Sequence, residues 1–550
     1  MTLVPIRDIG KLGVNTDWSP LDLPITAWTF GSNVRFMDNR IKRGPIFSKI
    51  SNITTNTSPR FCHSYRLLNG TLAFLLLNQD GSIVKWVAST PAATPAETNI
   101  SATGWTADTK RIPYTSEFLN EVIYVNRADR VPWAMGTADS TFKALANWPS
   151  DWRCDALRSF EGVLVALNVT KGGIKYPNMV KTSEFSVYGT VPTTWVADTT
   201  NSATENIIAD LNSPLVDGVT LRDRFILYAS NETWVMEYRG DNLMFNYKRL
   251  FYDRGLIGQN CVAEYQSVHY VFGNDDIWSH DGYQHKSIAV GRVRDFIFQN
   301  LVRSESHQFF ALNNPKLGEI IFYYVSNDPY CHFPVGGNRG YPGCNRAAVY
   351  NHIYDTWTFF DVPYVVGGYV GAVYTGLTYA EQETQAYDPV TATYNSLCDE
   401  TARYLMTVGV GQTITGGTLS PAIRLFEDTS VASAIGTIDT LATAPVFLEN
   451  KQMDMDDISK ELRGYKVVNQ MWPEGTFDAG APAMTFTWGS SDASNVIPVY
   501  GSSMTFDGST YSKLDFNAPG KYLSLKMTYS GVQSFSFSGF DIDYQVFGHR

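Results

Sequence analysis

The chain is poor in cysteine, in basic charge and in long apolar runs, and each shortage removes a class of protein. Its six cysteines stand at 62, 154, 261, 331, 344 and 398, with no CxxC pair among them. That is too sparse for a disulfide scaffold and has the wrong spacing for structural zinc. Cys331 and Cys344 flank a Pro/Gly/Asn-rich loop at 327–346, where a staple across the loop and two separate thiols are both open. No uncharged apolar run reaches the ~20 residues of a membrane helix, and the opening Met-Thr-Leu-Val-Pro-Ile-Arg-Asp has no apolar signal core. Folding in a cytoplasm is therefore expected. Lys plus Arg number 43 against 54 Asp plus Glu, a formal net charge of −11. Such a balance argues against gripping nucleic acid by phosphate neutralisation. GxxxxGK[ST], HExxH and GxSxG are also missing, so no cofactor is expected and nothing points to an enzyme.

Aromatic and turn residues are abundant: 31 Tyr, 31 Phe and 13 Trp, with 43 Gly and 25 Pro. They favour short strands and frequent turns. A unit recurs in which an apolar strand meets a polar turn and then an aromatic. It reads Phe74-Leu75-Leu76-Leu77-Asn78…Trp86, Val122-Ile123-Tyr124-Val125-Asn126…Trp133, Phe225-Ile226-Leu227-Tyr228…Trp234 and Tyr270-Val271-Phe272-Gly273…Trp278. A weaker copy is Val163–Asn168. One hairpin cannot bury its own apolar face, so copies must stack, and a period of about 40 residues is that of propeller blades. The expected fold is all-β, with a β-propeller core, an N-terminal arm and a C-terminal sandwich-like platform.

Three regions follow. Residues 1–58 read as an arm with platform strands, 59–395 as the propeller, and 396–550 as a β-rich platform domain. Within the propeller, Trp278 and Trp357 are 79 positions apart, so either one blade is degenerate or a functional loop is inserted near 327–346. A short helix is expected near Asp295–Phe298 and another over Asp399–Met406. Alternating segments such as Met484-Thr485-Phe486-Thr487-Trp488 and Phe535-Ser536-Phe537-Ser538 read as half-buried antiparallel strands.

The candidate chemistry has a plain alternative at each place. Asp275, Asp276 and Asp281 with His280 have the residue types of a cation or acid–base cluster, but Gly-Asn-Asp-Asp and His-Asp-Gly are also what hairpin turns require. The turn reading is preferred, and His280 and His285 are read as structural. Thr505–Tyr511 is a loose likeness of the Asp-box turn of sialidase propellers, and Met453–Asp457 is an acidic turn. Arg40-Ile41-Lys42-Arg43 is the densest basic segment; it suits either an acidic neighbour or a solvated strand edge.

The two ends resemble the tail nozzle (tubular tail protein B-like) and DNA-stabilisation proteins of short-tailed bacteriophages. At the front the resemblance lies in Val4–Gly10, Leu23–Trp28, Asn33–Phe36 and Arg43-Gly44-Pro45; at the back, in Leu462–Val468, Trp472-Pro473-Glu474, Gly520–Leu525 and Ser538–Asp543. It implies a structural virion subunit of the tail, made in the host bacterial cytoplasm and assembled as a hexamer. Its ring would lie below the adaptor, enclose the channel through which double-stranded DNA passes without specific binding, help to retain the genome and dock tail fibres or tip proteins. Arg7, Trp28, Arg35, Phe36, Arg40, Lys42, Arg43 and Phe540 are the assembly-interface residues so implied. The alternative function is a carbohydrate-binding or carbohydrate-cleaving propeller, which needs Arg and Asp/Glu at repeated blade positions facing one pocket.

Overall fold

A computed structural model describes the chain apart from residues 1, 54–57, 67–71, 88–95, 103–111, 137–138, 241–243, 336–342, 372–403, 428–435, 456–463, 495, 509–512 and 548–550. The apolar repeats fall on the second strands of four-stranded antiparallel sheets, five of which stand separately. Blade 1 is Pro59–Arg66, Leu72–Asn78, Ile83–Val87 and Ala96–Asn99; blade 2 is Tyr114–Leu119, Val122–Arg127, Trp133–Met135 and Lys143–Ala144. Blade 3 is Trp152–Phe160, Val163–Lys171, Ile174–Thr182 and Thr204–Ile207; blade 4 is Leu215–Leu221, Arg224–Ala229, Thr233–Tyr238 and Phe245–Phe251. Blade 5 is Val262–Tyr265, Val268–Phe272, Ile277–His280 and His285–Ser287. A sixth set, Phe310–Asn314, Glu319–Tyr324, Cys344–Asn351 and the first part of Thr356–Gly371, forms blade 6. The fold is all-β with a β-propeller core.

Each second strand is apolar because both of its faces are covered. Ile123 and Val125 pack toward blade 1, against Leu75 and Ile83. Val122 and Tyr124 pack toward blade 3, against Leu164 and Ala166. Val163 and Val165 then meet Phe225 and Leu227 of blade 4, and the alternate residues Ile226 and Tyr228 join Val271 and Trp278 of blade 5. Period-2 alternation thus serves two interfaces at once. The turns are equally local in origin. Asn120-Glu121 and Gln266-Ser267 join the first two strands of blades 2 and 5 with positive φ at both residues, 49° and 67°, then 51° and 61°. This turn twist matches that of the flanking strands.

Trp86, Trp133, Trp234 and Trp278 all lie on third strands. Trp357 lies on the fourth strand of blade 6, and a helix (Arg294–Asn300) and the segment 325–343 intervene. Those two facts account for the 79-residue interval: the blade is complete and its second hairpin carries an insertion. The expected helix near 295–298 is Arg294–Asn300. The one expected over Asp399–Met406 is a strand in its described part, because Tyr404–Gly409 is paired on both sides, to Thr356–Gly371 and to Ala422–Glu427.

The strand Thr356–Gly371 leaves blade 6 and enters a second body made from both ends of the chain. One sheet there is ordered Val34–Met37, Arg40–Arg43, Phe535–Val546, Lys466–Phe477, Leu514–Gly520, with Thr2–Arg7 also paired to Phe535–Val546. The facing sheet includes Ile46–Asn52, Phe30–Ser32, Val446–Met453, Tyr522–Tyr529 and Met484–Ser491. Rings close the gap between the two sheets: Phe486 lies 5.6 Å from Phe537 and Trp488 lies 6.5 Å from Phe540.

Candidate functional site

The first strands of the six blades surround one central cavity of about 540 Å³. Arg60, Glu117, Arg158, Asp217 and Glu264 reach it from blades 1 to 5 in turn. At its centre Arg158 donates through Nε and Nη2 to both oxygens of Asp217, at 2.7 and 2.6 Å, and Nη2 also reaches Asn260 Oδ1 at 2.8 Å. The backbone N–H of Asn260 donates to Asp217 Oδ2 at 2.9 Å. Burial opposes the Arg158 charge, but fully buried Asp217 more than offsets it, and the guanidinium pKa is raised. Glu117 lies 4.0 Å from Arg158 and accepts a hydrogen bond of 2.8 Å from the Ser159 hydroxyl. Burial raises its pKa against both of these.

This network ties blades 2, 3, 4 and 5 across the axis. Asp217 accepts at both oxygens, Oδ1 from Arg158 Nε and Oδ2 from Arg158 Nη2 and the Asn260 N–H. The seam between blades 1 and 6 is filled by Val366–Gly368 of the bridging strand. Contact there is at backbone distance: a Cβ on Gly367 would stand 2.4 Å from Cys62 Sγ. Sequence reasoning singled out none of the five charged residues. The available signal was a charged residue a few positions before the first turn of successive repeats, as with Glu117 before Asn120 and Arg158 before Glu161.

Five of the eight residues expected at an assembly interface lie inside the chain. Trp28 is buried and donates from Nε1 to Ile9 O at 2.7 Å. Phe36 and Phe540 are core residues. Arg35, 3% exposed, pairs through Nε with Glu319 of blade 6 at 2.7 Å. Arg43 donates to the carbonyls of Gly531, Asn33 and Ala444 at 3.1, 3.1 and 2.9 Å, and burial brings its pKa down to about 10. These side chains join the ends of the chain to each other and to the propeller. The other three reach the surface: Arg7 pairs with Glu474 and Asp541, Lys42 with Asp38 at 2.8 Å, and Arg40 is exposed.

The same junction holds a buried triad. Arg346 lies between Asp328, at 2.8 Å, and Asp361, and all three are essentially sealed from solvent. Its guanidinium also sits over the rings of Phe30 and Phe359, and Asn33 Nδ2 donates to Asp361 Oδ2 at 2.7 Å.

Elsewhere, Asp281 accepts from the backbone N–H groups of Tyr283 and Gln284, both at 2.9 Å, as a turn residue does. Asp276 is 3% exposed and accepts from the Ser287 hydroxyl at 3.0 Å. Its partner is on the neighbouring strand, so it braces the blade edge. Among the described residues no three His, Cys, Asp or Glu side chains gather as a metal site requires. Cys331 and Cys344 are separate thiols; the Cys331 thiol faces the carbonyls of Phe333 and Asn345, and that of Cys344 faces Gln308. Parts of Met453–Asp457 and Thr505–Tyr511, Cys398, and the tip of the 327–346 loop lie outside the described residues.

No family model and no curated protein matches the chain. It is similar to the solved structure of U3-55K at 8% identity over 70% of this chain and 100% of that one, TM-score 0.39. The WD40 repeats of RRP9 match at 7% identity over 70% and 99%, TM-score 0.39. Sqt1 of Saccharomyces cerevisiae matches at 9% identity over 66% and 83%, TM-score 0.37.

Proposed function

We propose that the chain is a structural, non-catalytic subunit of a short-tailed phage tail, one of six in a nozzle ring below the adaptor, enclosing the path of the genome and docking fibres. The observation that carries this reading is the weaving of the two ends into one two-sheet platform with the propeller set between them. The segments that resemble nozzle proteins are those that build this platform and its joints to blade 6. Such a body suits a ring subunit, because a load on the platform passes to the propeller through buried pairs such as Arg35–Glu319 and not through a loose linker.

The propeller axis is not the conduit. Its cavity of about 540 Å³ holds the Arg158–Asp217–Asn260 network, and Asn260 before blade 5 donates to the Tyr114 carbonyl of blade 2 at 3.0 Å, whereas the major groove of a duplex alone is ~12 Å wide. A DNA path must therefore run between subunits. With −11 per chain, the wall of that path is neutral to acidic. Repulsion is screened within ~10 Å at 0.1 M salt, so it lubricates and does not retain.

Imaging of the native particle tests the reading. A six-fold ring beneath the portal is expected; a place on a peripheral fibre, or absence from the virion, would falsify it. A titration of the assembled ring with short duplex DNA at low salt should show no measurable binding, and submicromolar affinity with a steep salt slope would overturn the neutral wall.

A further inference from the structure

The central cavity keeps polar atoms that no other described residue answers. Ser116 lines it, is 4% exposed, and its hydroxyl has no partner. His63 also lines it, and its Nε2 is unpartnered. Burial and the Arg158 charge bring the His63 pKa down to about 4, so near neutral pH the ring is uncharged, with one donor and one acceptor nitrogen.

The formal charges around these atoms are already committed. Arg158 is held by Asp217 and Asn260, Glu117 by Ser159, and Glu264 accepts from the Ser267 N–H at 2.8 Å. Arg60 is likewise engaged by a neighbour. An anionic ligand would have to draw Arg158 away from Asp217, and a cationic one would have to compete with Arg158 for its carboxylates. A neutral ligand does neither. The rings of Phe61, Tyr114 and Phe310 line the same space and offer apolar faces, and a volume of about 540 Å³ falls within the ~300–1,000 Å³ of ordinary small-ligand sites.

We propose that this cavity binds a small neutral polyhydroxyl compound, a mono- or disaccharide, through Ser116 and His63 and the surrounding aromatic rings. Hydroxyl groups supply both the donor and the acceptor that the two side chains lack, and the C–H faces of a sugar pack on the rings. The site belongs to one subunit, so it does not depend on the ring; either can fail while the other stands.

The test is calorimetric titration of the full chain with D-glucose, D-galactose, D-mannose, L-rhamnose, N-acetylglucosamine and maltose. At least one is expected to bind with a Kd below about 10 mM. Ser116→Ala and His63→Phe should each weaken that sugar at least about tenfold, a loss of one well-made hydrogen bond to a ligand, while Ile497→Ser, which lies between two platform strands, is 86% exposed and does not line the cavity, should not. If His63→Phe fails to fold, Ser116→Ala decides alone, because it removes only an unbonded hydroxyl and should melt no lower than the parent. Glucose 6-phosphate and glucuronate are titrated alongside; absence of binding across the neutral panel, equal binding by the Ser116→Ala chain, or binding confined to these two charged sugars would each overturn the proposal.

Discussion

Two histidines between blades 4 and 5 are locked into one proton arrangement. The His269 Nε2 faces the Thr220 carbonyl at 3.0 Å and must carry a proton, which leaves Nδ1 bare to accept from the Tyr228 hydroxyl at 2.7 Å. The Tyr228 oxygen then accepts from His280 Nε2 at 2.6 Å, and His280 Nδ1 accepts from the Gly282 N–H at 3.2 Å. Every link is satisfied only if both rings are neutral Nε2–H tautomers. Nitrogen NMR of labelled imidazoles at pH 7 should show that tautomer for both, and an Nδ1–H form at either would break the chain. Burial lowers His269 to about 4 and His280 to about 3. Their contribution to stability is thus full above the unfolded value near 6.5 and falls as pH drops toward 4, because the unfolded chain takes up protons that the folded one refuses. It amounts to on the order of 3 kcal/mol per ring. Asp276 and Asp328, which are buried, and half-buried Glu117 have raised pKa values and act with the opposite sign. The measurement is therefore the difference in urea stability between parent and His269→Gln across pH 6.5 to 4, which should shrink as pH falls. The Arg346 triad gives a second residue-scale expectation. Arg346→Met strands two buried carboxylates and should cost about 3 to 5 kcal/mol, and adding Asp328→Asn and Asp361→Asn should recover most of it; a cost under about 1 kcal/mol would mean the pair is idle.

At the scale of elements, the bridging strand Thr356–Gly371 does the joining: it completes blade 6, lines the axis and opens the platform. Gly367 has no room for a side chain because Cys62 Sγ occupies the place of its Cβ. Gly367→Ala should cost about 1 to 3 kcal/mol by overpacking, and Cys62→Ala in the same chain should return part of that loss. A double variant no more stable than Gly367→Ala alone would show that the close approach is not the cause. The elements legible in the sequence were those whose cause is local. The second strands of blades 1, 2, 4 and 5 stand out because burial on both faces demands unbroken apolar runs such as Phe74–Leu77 and Phe225–Tyr228. The first strands did not stand out. Polar residues are interspersed with apolar ones along them, as in Trp152–Phe160, a mixture that an ordinary surface strand also shows, so Glu117, Arg158 and Asp217 were indistinguishable from solvated residues until the blades closed.

For the whole molecule, the arm is part of the platform. Thr2–Arg7 pairs along Phe535–Val546, Trp28 is sealed against Ile9, and Phe30 stacks on Tyr330 at 4.4 Å. Deleting residues 1–30 should therefore remove the platform's cooperative melting while leaving that of the propeller, visible in calorimetry as one lost transition, and the truncated chain should not enter particles. A truncated chain that melts like the parent and incorporates normally would show that the platform does not depend on the arm.

The sequence by itself determined the all-β class, the stacked repeat, the turns and the position of the helix near 295. Each of these follows from alternation, positive-φ residues or propensity within a few positions. Tertiary structure alone decided what the charged residues do. Arg35 meets Glu319 across 284 positions and Asn33 meets Asp361 across 328. An arginine near a strand end therefore reads as a contact for a neighbouring subunit until the chain folds back and supplies the carboxylate itself. The physical reason is that local rules act through backbone geometry within one turn or strand, whereas the partner of a buried charge is chosen only when distant segments exclude water together.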